Sequence, residues 1–176
     1  VNGDIYVKRA NYGNPRGGWD TSVQVTTSGG CSDVAIDFCS ALLTVVYTRD
    51  SNVCMRVSND KGVSFRSEQI IMANGILNRI RSSPIGDSII ASFKYDSGTS
   101  GPGKIYISKR LRGSTGWTTA TPLLNSSGVA LAVADAGFDF SYGHANGRWV
   151  LSATKSGSTE SSVFISFDKM TSVREC

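Results

Sequence analysis

Ser58-Asn59-Asp60-Lys61-Gly62-Val63-Ser64-Phe65 is the stretch that governs how the rest of this 176-residue chain is read. It has the form S-x-D-x-G-x-[ST]-[WF]. The strand-forming run Cys54-Met55-Arg56-Val57 leads into it, and Phe65 opens a segment ending in Glu68-Gln69-Ile70-Ile71. A short carboxylate at Asp60 can accept backbone N–H bonds two residues on and so stiffen a turn. Gly62 supplies the positive φ that a tight reversal requires. The ring of Phe65 can tuck back between neighbouring sheets and bury much of its area. Together these residues specify a hairpin turn built around an aspartate, and none of them is assigned chemistry.

Working outward, the strand–turn–aromatic–strand pattern recurs. Ile5-Tyr6-Val7-Lys8-Arg9 precedes a Gly-rich turn, Gly18-Trp19 and Ser22-Val23-Gln24-Val25. Ile105-Tyr106-Ile107-Ser108-Lys109-Arg110 precedes Gly113-Ser114-Thr115-Gly116-Trp117 and Thr121-Pro122-Leu123-Leu124, and another such run starts at Val163-Phe164-Ile165-Ser166. Trp19, Phe65 and Trp117 thus return about every fifty residues, a spacing that signals repeated supersecondary units. Between them lie short β-rich runs bounded by Gly, Ser, Asn or Asp: Ala41 to Tyr47 after Val34 to Phe38, Ser88 to Tyr95 after Arg79 to Ser83, and Trp149 to Thr154 after Phe138 to Tyr142. No stretch sustains a helical period. The expected class is all-β.

The octet resembles the Asp-box, the hairpin signature of sialidase-type β-propellers, with Ser58, Asp60, Gly62, Ser64 and Phe65 as its structural positions. The resemblance implies β-propeller-like repeats of four-stranded antiparallel blades, about three and a half in this chain. On that frame 1–176 is one domain: a half blade at about 1–28, blades at about 33–73 and 78–124, and an incomplete blade at about 137–176. Closing the ring with the N-terminal hairpin would leave one strand surplus, and propellers mostly need four or more blades. A fragment, an assembly of several chains, or an unusual small ring is therefore expected. Val1 in place of an initiator Met points to a processed or excised product.

Composition suits a domain with many turns: 19 Gly against 4 Pro, and enough length for a core. No apolar run could span a bilayer and no signal peptide is present, so the chain reads as soluble. The net charge of +4 is modest. Lys8-Arg9, Lys109-Arg110 and Arg112 read as solvated strand ends that protect edges rather than as a nucleic-acid surface. Cys31, Cys39, Cys54 and Cys176 match no zinc spacing. A Cys31–Cys39 bridge and buried free thiols both stay open. Asn125-Ser126-Ser127 is a glycosylation sequon. His144, the sole histidine, lies in Gly143-His144-Ala145-Asn146-Gly147 and reads as an exposed turn residue. No metal or cofactor motif is present.

Candidate ligand-binding residues are Arg49, Asp50, Arg79, Arg81, Tyr95 and Asp96, in loops expected on the face opposite the octet. Sialidases of the resembled fold clamp a sugar carboxylate with arginines through bidentate hydrogen bonds. They pair a tyrosine nucleophile with a glutamate and add an aspartate acid/base. The chain offers those residue types, Tyr47, Asp33 and Glu160 among them, but no motif transfers a catalytic role to any position. Arg79-Ile80-Arg81 would put both guanidiniums on one face if the segment is a strand. The resemblance implies a glycan-binding, receptor-recognition module without turnover, such as part of a phage tail, taking a cell-surface glycan, sialylated ones included. The alternatives are part of an exo-sialidase or related glycoside hydrolase, and a structural propeller that binds protein. Further chains or missing blades would be partners, and an extracellular or virion location would follow.

Overall fold

The computed structural model describes residues 3–10, 18–39, 41–83, 88–95, 102–111, 114, 116–134, 138–143, 148–154, 156–157, 161–166 and 174–175. Their regular structure is all strand. β1 (Tyr6–Val7) and β2 (Val23–Gln24) form a two-stranded antiparallel sheet. β3 (Cys31–Cys39), β4 (Leu42–Arg49), β5 (Asn52–Ser58) and β6 (Gln69–Met72) form a four-stranded sheet in sequence order. The third sheet runs β7 (Ile76–Ser82), β8 (Ser88–Tyr95), β9 (Gly103–Arg110) and β10 (Thr121–Pro122), and β11 (Ala132–Val133) joins it along β9. The fourth runs β12 (Asp139–Gly143), β13 (Arg148–Thr154), β14 (Ser161–Ser166) and β15 (Arg174–Glu175).

Local chemistry accounts for these elements. Leu42 to Thr48 are all buried, as befits a strand with neighbours on both edges and sheets on both faces. Asp50 and Ser51 both have positive φ, 49° and 60°, which makes the two-residue reversal between β4 and β5 a primed turn matched to strand twist. Three apolar clusters join the sheets face to face. Ile5, Val7 and Val25 cover Leu43, Val45, Tyr47 and Cys54. Val46, Val53 and Met55 meet Leu77, Ile90 and Trp117. Ile89, Ile105 and Ile107 meet Phe138, Trp149 and Leu151. Each such side chain contributes roughly 1.5–3 kcal/mol by leaving water, and this burial holds the sheets together.

The octet forms the turn its residues specify. Asp60 Oδ1 accepts from the backbone N–H of Val63 and of Ser64, at 3.0 and 2.9 Å, while Ser64 Oγ donates to Oδ2 at 2.5 Å. Ser58 Oγ donates to Asp60 Oδ1 at 2.6 Å and accepts from Gly62 N at 2.7 Å. Gly62 has φ 85°, and Phe65 packs on the cluster under β1 and β2.

The propeller expectation is overturned. The chain makes four separate antiparallel sheets of two, four, five and four strands; none closes or curls, and among the described residues no strand is shared between two sheets. The near-fifty-residue spacing registers repeated strand–turn–strand chemistry, which is local. Ring closure is a long-range property on which that spacing is silent. The three marker aromatics are also inequivalent: Trp117 is buried, Phe65 half-buried, and Trp19 is 69% exposed. Two smaller expectations change as well. Arg110 is buried rather than solvated. Cys31 and Cys39 stand at opposite ends of a nine-residue strand, roughly 26 Å apart at about 3.3 Å per residue, so they cannot bridge each other.

Candidate functional site: paired arginines between two sheets

Arg79 and Arg81 lie on β7, where alternate residues share a face. A register slip between Leu77 and Arg79 against β8 sets the phase of the pair. Both guanidiniums reach the same oxygen of Asp139, which opens β12 in the next sheet. Arg79 Nε is 2.8 Å from Oδ1 and Arg81 Nη2 is 3.7 Å from it. The three side chains are 46, 41 and 55% exposed respectively. Arg81 Nη1 also donates to the Ile80 carbonyl at 3.2 Å. Two cations and one carboxylate leave this half-open junction with a net charge of +1.

Arg49 and Asp50 belong to a different group. Arg49, the last residue of β4, makes a salt bridge with Glu68, and its Nε lies 4.0 Å from Asp50, the first residue of the β4–β5 turn. Tyr47 O–H donates to Glu68 Oε2 at 2.6 Å. Burial, and then the Glu68 carboxylate, hold the Tyr47 phenol well above the usual tyrosine range, so it stays protonated. The Tyr47 side chain is fully buried, so its hydroxyl is not presented at the surface. The Tyr–Glu pair and the paired arginines thus belong to separate groups, each with its own counter-ion. Tyr95 ends β8 opposite Gly103, while Asp96, His144 and Glu160 lie outside the described residues. A groove of about 130 Å³ lined by Met55, Val57, Arg66, Ser67 and Gln69 is smaller than the roughly 300–1,000 Å³ of small-molecule pockets.

Sequence reasoning missed Asp139 and Glu68. Asp139 is 58 residues beyond Arg81, and only the packing of β12 beside β7 brings it to the arginines. A pairing of charges across two sheets leaves no local pattern.

Comparison with known proteins adds fold and nothing finer. No family model matches the sequence, and no curated protein matches it. Among solved structures the chain is similar to a protein of unknown function from Dyadobacter fermentans DSM 18053. The two share 10% identity with a TM-score of 0.57, over 90% of this chain and 54% of that one. The chain therefore spans about half the length of the structure it matches. The class defined is an all-β domain of several small antiparallel sheets. Kinship with Asp-box sialidases or phage-tail proteins is without support, and the glycan-recognition, glycosidase and propeller-scaffold readings that rested on it are withdrawn.

Proposed function

We propose that this chain is a binding domain that takes an anionic group, a carboxylate or phosphate, on Arg79 and Arg81 at the junction of β7 and β12. The observation that carries the proposal is the sharing of one half-exposed carboxylate, Asp139, by two half-exposed guanidiniums. An exposed ion pair contributes only about 0.2–1 kcal/mol, so Asp139 does not sequester the arginines. Arg81, 3.7 Å from Asp139, has the looser hold and the freer donors. A planar anion can take two parallel N–H bonds from a guanidinium, which is stronger and more directional than contact with a lysine.

The test is titration with N-acetylneuraminate, citrate and inorganic phosphate, with lactose as the neutral control, at low ionic strength. The arginine Nε–H resonances are followed by NMR. The acids are expected to shift the Arg79 and Arg81 signals saturably, lactose to leave them still, and the double substitution Arg79→Gln, Arg81→Gln to weaken binding at least tenfold. Absence of a shift, or binding indifferent to the double substitution, refutes the proposal. The order of the three acids shows whether a sugar acid is preferred over a bare carboxylate or phosphate.

A further inference from the structure

The strand pair β5–β6 opens where β6 begins. Gln69 pairs with Met55, and Arg66 N donates to the Val57 carbonyl at 2.9 Å. Between these contacts β5 advances two residues and the facing segment three. Ser67-Glu68 therefore holds one residue more than the ladder takes, the insertion that makes a β-bulge. Bulges re-aim side chains, and this one sends neighbours to opposite faces. Glu68 turns to the face of Tyr47, where Tyr47 and Arg49 hold its carboxylate. Gln69 shares the other face with Met55.

The groove of about 130 Å³ lies on that second face. Met55 and Val57, 2% and 7% exposed, are its apolar floor, and the exposed Arg66, Ser67 and Gln69 are its rim. Arg66 is the one charged residue of the lining, because the bulge turns Glu68 away. Among the described residues, the side chains of Arg66, Ser67 and Gln69 hydrogen-bond with no other protein group, so their donors and acceptors are open to a ligand. Size sets a further bound. An apolar cavity of about 150 Å³ takes benzene, so this groove suits a molecule of about five or six non-hydrogen atoms. The arginine fixes the sign of its charge, and the floor calls for a small apolar end. The amide and hydroxyl beside the arginine call for an oxygen next to the charged group.

We infer that the groove binds a short monocarboxylate with a second oxygen on the carbon beside the carboxyl, an α-oxo or α-hydroxy acid such as pyruvate or lactate. Arg66 takes the carboxylate through two parallel N–H bonds. Gln69 and Ser67 take the second oxygen, and the methyl group rests on Met55 and Val57. The site is separate from the Arg79–Arg81 junction, which belongs to another sheet.

The probe is sodium pyruvate, titrated at constant ionic strength into the full chain with isotope-labelled methionine and valine methyls. The Met55 and Val57 signals are read by NMR. Expected are saturable shifts at both, with half-saturation near about 1 mM, in keeping with so few ligand atoms. Arg66→Gln should weaken binding at least tenfold. Gln69→Ala should bring pyruvate down to the level of propionate, which lacks the second oxygen. Lys61→Gln makes the same change of charge at an exposed position of the neighbouring turn and should leave binding as it is. Because the signals are local, binding at the Arg79–Arg81 junction alone leaves them still, and that result overturns the inference. So do shifts produced equally by neutral lactamide, by propionate, or in the Arg66→Gln chain.

Discussion

Arg110 lies over Trp117, with its guanidinium carbon 5.8 Å from the ring centroid and only 1% of the residue exposed. A buried cation is costly unless it is hydrogen-bonded and balanced by charge. Arg110 Nη2 donates to Ser88 Oγ at 3.0 Å and to the Cys39 carbonyl at 3.3 Å, and Nη1 donates to the Ser114 carbonyl at 3.3 Å. Ser88 Oγ donates in turn to Asp37 Oδ2 at 3.3 Å, and Ser82 Oγ is bonded to the same carboxylate. A cation of β9 is thereby linked to a carboxylate of β3 through one serine, which ties two sheets together.

Arg110→Ala is expected to lower stability by about 1.5–3 kcal/mol, the range for hydrogen bonds to charged groups. Arg110→Lys should restore only part, because an ammonium cannot reproduce the planar fork over the indole. The linkage is checked by a double-mutant cycle between Arg110→Ala and Asp37→Ala in urea, repeated with Ser88→Ala. Coupling that Ser88→Ala leaves intact would show that the serine does not carry it.

What was legible in the sequence follows from where each interaction is encoded. The Asp60 turn lies within eight residues and its hydrogen bonds are local, so a turn forms there, with Asp60 accepting from Val63 and Ser64, three and four residues on, rather than two. The β-forming run from Arg79 was legible for the same reason, although the strand spans Ile76–Ser82 and carries Arg79 and Arg81, which were expected in a loop; their alternation onto one face follows from that strand. Arg110 looked like a solvated strand end because basic residues at strand ends usually are. Only the arrival of Ser88, Cys39 and Trp117 from distant positions buries it. Asp139 and Glu68 were invisible on the same ground. Ring closure was inferred from a period, yet a period is satisfied by any succession of similar hairpins, and the sheets here remain separate.

The acid limb of the stability profile should carry the signature of Asp60. Its carboxyl is held well below the usual range by the hydroxyls of Ser58 and Ser64, then by the backbone N–H of Ser64. A depressed folded-state value means the contribution is complete above about pH 4 and fades as pH falls through the lowered value. The urea midpoint of the wild type should therefore exceed that of Asp60→Asn at pH 7, with the gap narrowing at pH 3 and below. A gap independent of pH would assign the turn's strength to shape alone. Gly62→Ala should cost more than about 1 kcal/mol at any pH, since φ is 85° and a Cβ would stand 3.0 Å from Leu43 Cδ2.

Alkaline behaviour should follow Cys54 and Tyr47. Burial, and then the charge of Glu68, push the Cys54 thiol up to about 11, and burial raises the Tyr47 phenol further. Both groups are held neutral in the fold, so their contribution is whole below their unfolded values, near 8.5 and 10, and is lost as pH rises through the folded ones. Stability should start to fall above about pH 8.5, and Cys54→Ala should delay the onset. In a Cys176→Ser background, a thiol reagent at pH 8 should modify Cys31 and Cys39 quickly and Cys54 only at the rate of unfolding. Rapid modification of Cys54 would contradict its burial.

Asp139 sets the strength of the arginine junction, and its removal separates orientation from competition. If Asp139 competes with the incoming anion, Asp139→Asn should tighten binding of citrate or phosphate about two- to fivefold, the equivalent of an exposed ion pair. If it serves mainly to hold Arg79 in place, at 2.8 Å, the same substitution should weaken binding. The half-exposure of all three side chains favours competition, because solvated charges repel an anion through space yet need little help to stay extended. The salt dependence supplies the check. With Asp139 neutralised the local charge rises from +1 to +2, so the affinity of the variant should fall more steeply between 20 and 200 mM salt than that of the wild type, as expected of attraction screened over about 10 Å. Parallel slopes, together with weaker binding, would make Asp139 a positioning residue for Arg79.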